Sequence, residues 1–333
     1  MSAQPLPVFP DVDPVLADAL QAGLGRVDAF LREKVDHEDP FVAEANGHLL
    51  AAGGKRFRPL LTLLAAHVGS GVNDEVVGAA AAVELTHLAS LYHDDVMDEA
   101  DVRRHVVSAN AAYGNSTAIL VGDLLFGTAS SIVADLGAEA VKIQAETFVR
   151  LCSGQIRDTR PCPPGQDPVD YYLGVLADKT GVLIATAARF GAMFSGCADD
   201  QVEILRQYGE KLGIAFQLAD DLLDISSEGE SSGKTPGTDL REGVATLPVI
   251  YARAENRSED GELLELLDRD LRADDAGVAR ALELLRVHPA VERAREHTWT
   301  VAREAQEVVG PLGDGPAVRA LREVAAGVVD REV

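Results

Sequence analysis

The stretch 88–105, "LASLYHDDVMDEADVRRH", sets Asp94 and Asp95 side by side, places Asp98 four positions after the first, and follows them with Arg103 and Arg104. It closes a longer run, "AVELTHLASLYHDD", whose apolar residues recur at helical spacing and leave almost no polar face. Asn73 and Asp74 offer caps for the start of that helix, which is therefore expected at the centre of a domain. On a helix, positions i and i+4 share a face, so Asp94 and Asp98 point the same way, with Asp95 about 100° round the axis. Three like charges so placed repel unless they are protonated or bind cations. A hard cation such as Mg²⁺ takes carboxylate oxygens and keeps places for water or phosphate.

Read alone, the pattern is equally a solvated helix end, and the chain contains such ends. "CADDQVEIL", with Asp199, Asp200 and Glu203, reads as a capping box, and Asp274 and Asp275 as a helix start. Residues 94–98 differ because a second copy exists. In "FQLADDLLDI", Asp220, Asp221 and Asp224 interrupt an otherwise apolar helix. Buried carboxylates without partners cost several kcal/mol each, so both sets call for cations. If the two helices face one cavity they form a carboxylate cage for more than one Mg²⁺, whose natural ligand is a diphosphate.

Working outward, the chain has 333 residues, 47% hydrophobic, enough for one large domain with a real core. Apolar residues keep three- and four-residue spacing from Val15 onward and no Val/Ile-rich alternating strand occurs, so the expected class is all-α. We read residues 1–14, with four prolines, as a flexible arm and 15–333 as a single catalytic domain. Net charge is −24, which repels a nucleic-acid backbone. Three scattered cysteines support neither a disulfide framework nor a zinc ribbon. No run of about 18 apolar residues and no leader pattern is present, so a cytoplasmic location without a transmembrane segment is expected. Two loops stand out: the proline-rich 159–168, and 226–240, "SSEGESSGKTPGTDL", a candidate lid.

Cationic residues accompany the acidic motifs. "AAGGKRFRPLLTLL" places Lys55, Arg56 and Arg58 just ahead of Pro59, which suits a helix start that gathers an anion. Lys179 and Thr180 interrupt an apolar helix in "LADKTGVL", and Lys234 lies in the candidate lid.

With these motifs in order, the chain resembles the trans-type polyprenyl diphosphate synthases over roughly residues 40–310. The resemblance rests on "GGKRFRP", "ELTHLASLYHDDVMDEADVRR", "GDLLF", "GQ" at 154–155, "DKTG", "FQLADDLLD" and "GKTPGTDLREGVATLP". It implies an all-α isoprenoid-synthase bundle with a central catalytic cavity, and a homodimer. It implies that Asp94, Asp95, Asp98, Asp220, Asp221 and Asp224 hold Mg²⁺, three ions per active site. By the same resemblance Lys55, Arg58, His87 and Arg104 bind isopentenyl diphosphate. Arg103, Lys179, Thr180, Gln217 and Lys234 bind the allylic prenyl diphosphate.

Two departures from the family pattern stand out. His105 occupies the place after the paired arginines where glycine is usual. Gly243–Val244–Ala245–Thr246 lacks an expected lysine, for which Arg241 or Lys234 is expected to compensate.

Product length is argued from the wall of the first aspartate helix, where one turn of about 5.4 Å approximates one isoprene unit. Ala89 and Ser90 are small, with Leu85 and Thr86 one turn deeper, so a product longer than farnesyl is expected. Three alternatives compete, the first of them a non-catalytic partner subunit, which would have lost one of the two aspartate motifs that are both intact here. A class I terpene cyclase or head-to-head synthase would not need the "GGKRFRP" and His87 site, and an HD-type metal phosphohydrolase built on His93–Asp94 would not need the second aspartate motif.

Overall fold

The computed structural model describes residues 12–226 and 236–330, and these are almost wholly helical. In chain order the helices are α1 (Pro14–Val35), α2 (Pro40–Ala51), α3 (Phe57–Ala66), α4 (Asp74–Met97), α5 (Ala109–Tyr113), α6 (Asn115–Asp135), α7 (Ala138–Asp158) and α8 (Pro168–Leu176). A π-helical turn, Ala177–Gly181, leads into α9 (Val182–Phe194). There follow α10 (Asp199–Ser226), α11 (Thr238–Glu242), α12 (Leu247–Glu255), α13 (Gly261–Leu267), α14 (Asp275–Arg286), α15 (Pro289–Val308) and α16 (Pro316–Val329).

The helix starts follow from their caps. Asp13, Asp39 and Asp167 each accept two backbone N–H groups and precede a proline at the first helical position, where a missing N–H costs nothing. Helix α1 thus begins at Pro14, the last residue of the stretch 1–14 read as an arm, and residues 1–11 of that stretch lie outside the described residues. Asn73 accepts the Val76 N–H at 2.8 Å, so α4 begins at Asp74 as its sequence predicts. Asp274 caps α14 in the same way. At the start of α10 the reciprocal partner is Gln201, which accepts the Ala198 N–H, while Glu203 pairs with Arg206 instead of closing a capping box.

The chain divides into two compact units. The first comprises residues 1–148, 183–209 and 309–321, and the second 149–182, 210–308 and 322–333. Each unit is assembled from three separated stretches, which is why no shift in composition marks a boundary. In the first unit α4 is the central element, packed on α1, α3 and α6. Leu63, Leu64, Leu85 and Leu88 are fully buried there, each stabilising the fold by about 1.5–3 kcal/mol. Tyr92, also fully buried, donates its hydroxyl to Ala45 O at 2.6 Å and ties α4 to α2. In the second unit α12 packs against α8 and α15, and Leu247, Tyr251, Leu282 and Leu285 belong to its core.

One sheet exists among the described residues. β1 (Val102–Arg103) pairs antiparallel with β2 (Val106–Val107) through the partners Val102↔Val107 and Arg103↔Val106. Arg104 and His105 between them have φ of 53° and 64°, the type I′ geometry of two-residue hairpins. Two residues per strand are too few to leave an alternating pattern in the sequence.

Candidate active site

The first unit holds the first aspartate motif and a cationic cluster. Asp95 is fully buried at the end of α4, and its Oδ1 accepts Arg103 Nε at 2.6 Å. Arg103 Nη2 also lies 3.9 Å from Asp98 Oδ2. Asp98 closes the helix, its N–H donating to Asp94 O at 2.8 Å. The left-handed turn sends the second arginine elsewhere: Arg104 donates to Leu49 O at 3.2 Å and to Gly53 O. This answers why opposite charges follow the aspartates. One arginine folds back on them, and the other locks the loop before α3, where Gly54 leaves no room for a side chain beside its guanidinium.

Arg58, in the first turn of α3, is half-buried, with its Nε enclosed and without a hydrogen-bond partner. Burial lowers its pKa to about 10, with Glu84 opposing and Arg104 adding to the shift. Burial, then Arg58 and Arg104, hold the His87 imidazole well below its ordinary pKa, so it is neutral among guanidinium groups. Lys55 is exposed at the entrance to the same loop. Arg56, although in the same motif, points inward to Glu84 at 3.2 Å and Asp28 at 3.0 Å and is a structural residue.

Of the wall residues, Ala89 and Leu85 are enclosed, while Ser90 keeps open surface. Thr86 is buried one turn beneath Ser90, where Gln144 Nε2 of α7 reaches its hydroxyl at 3.5 Å. Beside this contact the hydroxyls of Thr147 and Thr186 meet at 2.6 Å, and Phe126 and Phe148 stack at 3.8 Å. A buried polar pair so placed in an apolar helix wall is a feature that periodicity cannot show.

The second unit holds a continuous hydrogen-bonded chain. Thr180 Oγ1 donates to Gln217 Oε1 at 3.2 Å, and Gln217 Nε2 donates to Asp221 Oδ1 at 3.1 Å. The Tyr172 hydroxyl donates to the other Asp221 oxygen. Burial pushes the Asp221 carboxyl up to about 7; the bonds from Tyr172 and Gln217 pull the other way, and the charges of Asp220 and Asp224 add to the rise. Asp220 is half-buried. Asp224 accepts the N–H groups of Thr238 and Asp239, both at 3.1 Å, and so caps α11. The last part of the candidate lid is thus helical and anchored. Lys179, on the π turn, donates to Asp158 Oδ2 at 2.7 Å.

Lys234 lies outside the described residues. Arg241, the other residue expected to compensate for the missing lysine, pairs with the exposed Asp275 at 2.8 Å. Tyr172 and Asp158 escaped the sequence reading, although Asp158 stands four residues after Gly154 in "GQIRD".

Among the described residues no three His, Cys, Asp or Glu side chains stand in metal-binding geometry. The donor chemistry nevertheless fits a hard cation: Asp95 Oδ2 is buried with no hydrogen-bond partner, and Asp221 is a buried carboxyl crowded by two others.

The polyprenyl synthetase family model matches residues 39–285. A nonaprenyl diphosphate synthase of Mycobacterium tuberculosis is 48% identical over 320 residues, covering 96% of this chain and 95% of that protein. Among solved structures, geranylgeranyl pyrophosphate synthase of Corynebacterium glutamicum, complexed with calcium and isoprenyl diphosphate, is 40% identical. It superposes with a TM-score of 0.86, covering 96% of this chain and 99% of that one. A decaprenyl diphosphate synthase of Rhodobacter capsulatus is 34% identical with a TM-score of 0.86, covering 95% and 98% of the two chains.

Proposed function

Because the chain belongs to the polyprenyl synthetase family, we propose that it condenses isopentenyl diphosphate with an allylic diphosphate to give a trans-polyprenyl diphosphate longer than farnesyl. The observation that carries this reading is the half-buried cluster of Arg58, Arg104 and neutral His87 beside the first aspartate motif. A cyclase, with one diphosphate to hold, has no use for a second cationic pocket.

Asp94, Asp95 and Asp98 on α4, and Asp220, Asp221 and Asp224 on α10, would hold the Mg²⁺ ions, three per active site. Bound Mg²⁺ supplies positive charge that makes the allylic diphosphate a better leaving group. Arg103, Lys179 and Lys234 bind and orient that diphosphate. Thr180 and Gln217 direct their dipoles at the carbon that becomes electron-poor as the C–O bond breaks. Lys55, Arg58 and Arg104 hold the second diphosphate, and His87, being neutral, offers a ring N–H to it. The isopentenyl double bond then attacks the allylic C1, diphosphate departs with the C–O electron pair, and a proton is lost to restore a double bond.

The new chain extends along the face carrying Ser90, whose small side chain leaves its passage open. Thr86 and Gln144 set the next depth at which it can stop. We place the reaction in the cytoplasm and its unit as a homodimer. The face of α6 that carries Ile119, Leu120 and Leu124 is exposed and apolar, and Gly127 on the same face lets a second copy approach closely. By length and mean hydropathy α6 alone among the described helices could also span a membrane, but 39% of it is already buried within this chain.

The reading is tested by incubating the protein with Mg²⁺, isopentenyl diphosphate and, in turn, dimethylallyl, geranyl, farnesyl and geranylgeranyl diphosphates, with products resolved by mass spectrometry. A ladder ending above farnesyl that disappears in Asp94→Ala is expected. Diphosphate release without isopentenyl incorporation would overturn it in favour of a cyclase.

A further inference from the structure

Lys179 and Thr180 sit on the one π-helical turn among the described residues, in which the Val182 N–H reaches back to Ala177 O. Such a turn inserts one residue into the helix, so the residues before it are rotated by about 100° relative to those after it. Such turns are rare, occur mostly as single-turn insertions in α-helices, and persist here where surrounding groups hold them.

Asp178, between Ala177 and Lys179, is where this turn is held. Its Oδ1 accepts Arg150 Nε at 2.8 Å and its Oδ2 accepts Arg157 Nη1 at 3.0 Å, so both oxygens are held by α7. Arg150 in turn donates to Glu210 Oε1 of α10 at 2.8 Å, and Arg157 lies over the Tyr171 ring at 4.9 Å. Backbones close the same contact: a Cβ on Gly154 would collide with Lys179 N, and one on Gly181 would stand 3.2 Å from Glu210 O. The turn is gripped by helices on both sides, through a residue whose own side chain does not point at Asp158 or Gln217. The neighbouring Lys179 and Thr180 do.

We propose that Asp178, held by Arg150 and Arg157, is a positioning residue that fixes the register of the π turn and thereby aims Lys179 and Thr180 at the allylic diphosphate. The catalytic half of this statement rests on the functional reading above, and the positioning half does not. Ion pairs of this partly exposed kind contribute little to global stability, so their loss should appear in the aim of the turn more than in folding.

The test uses the full chain with Asp178→Asn and, separately, Arg150→Met. The first readout is the rate at which acetic anhydride labels Lys179, followed by peptide mass spectrometry with the exposed Lys142 as internal reference. The second is a steady-state comparison with isopentenyl and farnesyl diphosphates, and the third is the thermal midpoint. Labelling of Lys179 should accelerate several-fold in both variants with Lys142 unchanged. The KM for the allylic substrate should rise, or kcat fall, about tenfold or more, since small displacements of positioning groups are that costly. The KM for isopentenyl diphosphate and the midpoint should hardly move. Unchanged Lys179 labelling, or equal effects on both substrates together with a large drop in midpoint, would overturn the proposal. Faster labelling in the variants of a protein whose parent incorporates no isopentenyl diphosphate would uphold the positioning role and sink the functional reading alone.

Discussion

Two arginines two residues apart in "GGKRFRP" carry opposite assignments, and single substitutions separate them. Arg56 is paired with the buried Glu84, so Arg56→Ala leaves an uncompensated carboxylate and should cost about 3–5 kcal/mol, read by chemical denaturation. Arg58→Met should leave stability nearly intact and raise the KM for isopentenyl diphosphate at least tenfold, the scale of a lost charge-assisted hydrogen bond of about 1.5–3 kcal/mol. His87 sets a pH signature. Its folded pKa lies well below the ordinary value, so between the two pH values the unfolded chain binds a proton that the folded chain refuses. Its stabilising contribution is complete above about pH 6.5 and falls as pH drops below that value. The isopentenyl dependence of kcat/KM should accordingly show no inflection near 6.5, and a pH series on wild type against His87→Asn checks it. The wall is equally specific. Ser90→Phe should shorten the product by at least one isoprene unit in the mass-spectrometric ladder, because Ser90 is the wall position with open surface. Asp158, Asp178 and Tyr172 were illegible to sequence reading for one reason: each acquires its role from partners 21 to 49 residues away.

At the scale of elements, helix existence and starts were legible because caps and prolines act locally, as at Asp13, Asn73 and Asp167. The π turn was not. An extra residue in a helix apolar on both sides of "DKTG" leaves the apolar spacing unbroken, so only the backbone hydrogen bond from Val182 to Ala177 discloses it. The hairpin 102–107 was likewise hidden, and it shows what the departure at His105 costs. With φ of 64°, that residue occupies a conformation that costs a residue with a Cβ about 1–2 kcal/mol and glycine almost nothing. His105→Gly should therefore raise stability by roughly 1 kcal/mol, less what glycine loses in the unfolded chain. A rise in thermal midpoint with activity retained is the expected result, and a fall would show that the imidazole has a task of its own.

For the molecule as a whole, the acidic surface and apolar core were plain in composition, and the family match across residues 39–285 draws on both compact units. The homodimer is tested on α6, where Leu120 is 66% exposed: Leu120→Asp should shift the protein to monomer in sedimentation and leave the core of α6, including Leu125, undisturbed.

The two-residue turn at Arg104 and His105 also constrains how this sequence can change over time. Val102 and Val107 are exposed and can drift freely in identity. Length cannot drift with them, because gaining or losing one residue between the strands would swap which arginine meets Asp95 and which meets the carbonyls of Leu49 and Gly53. Descendants of this gene should therefore accept many substitutions along the hairpin and almost no insertions or deletions in it.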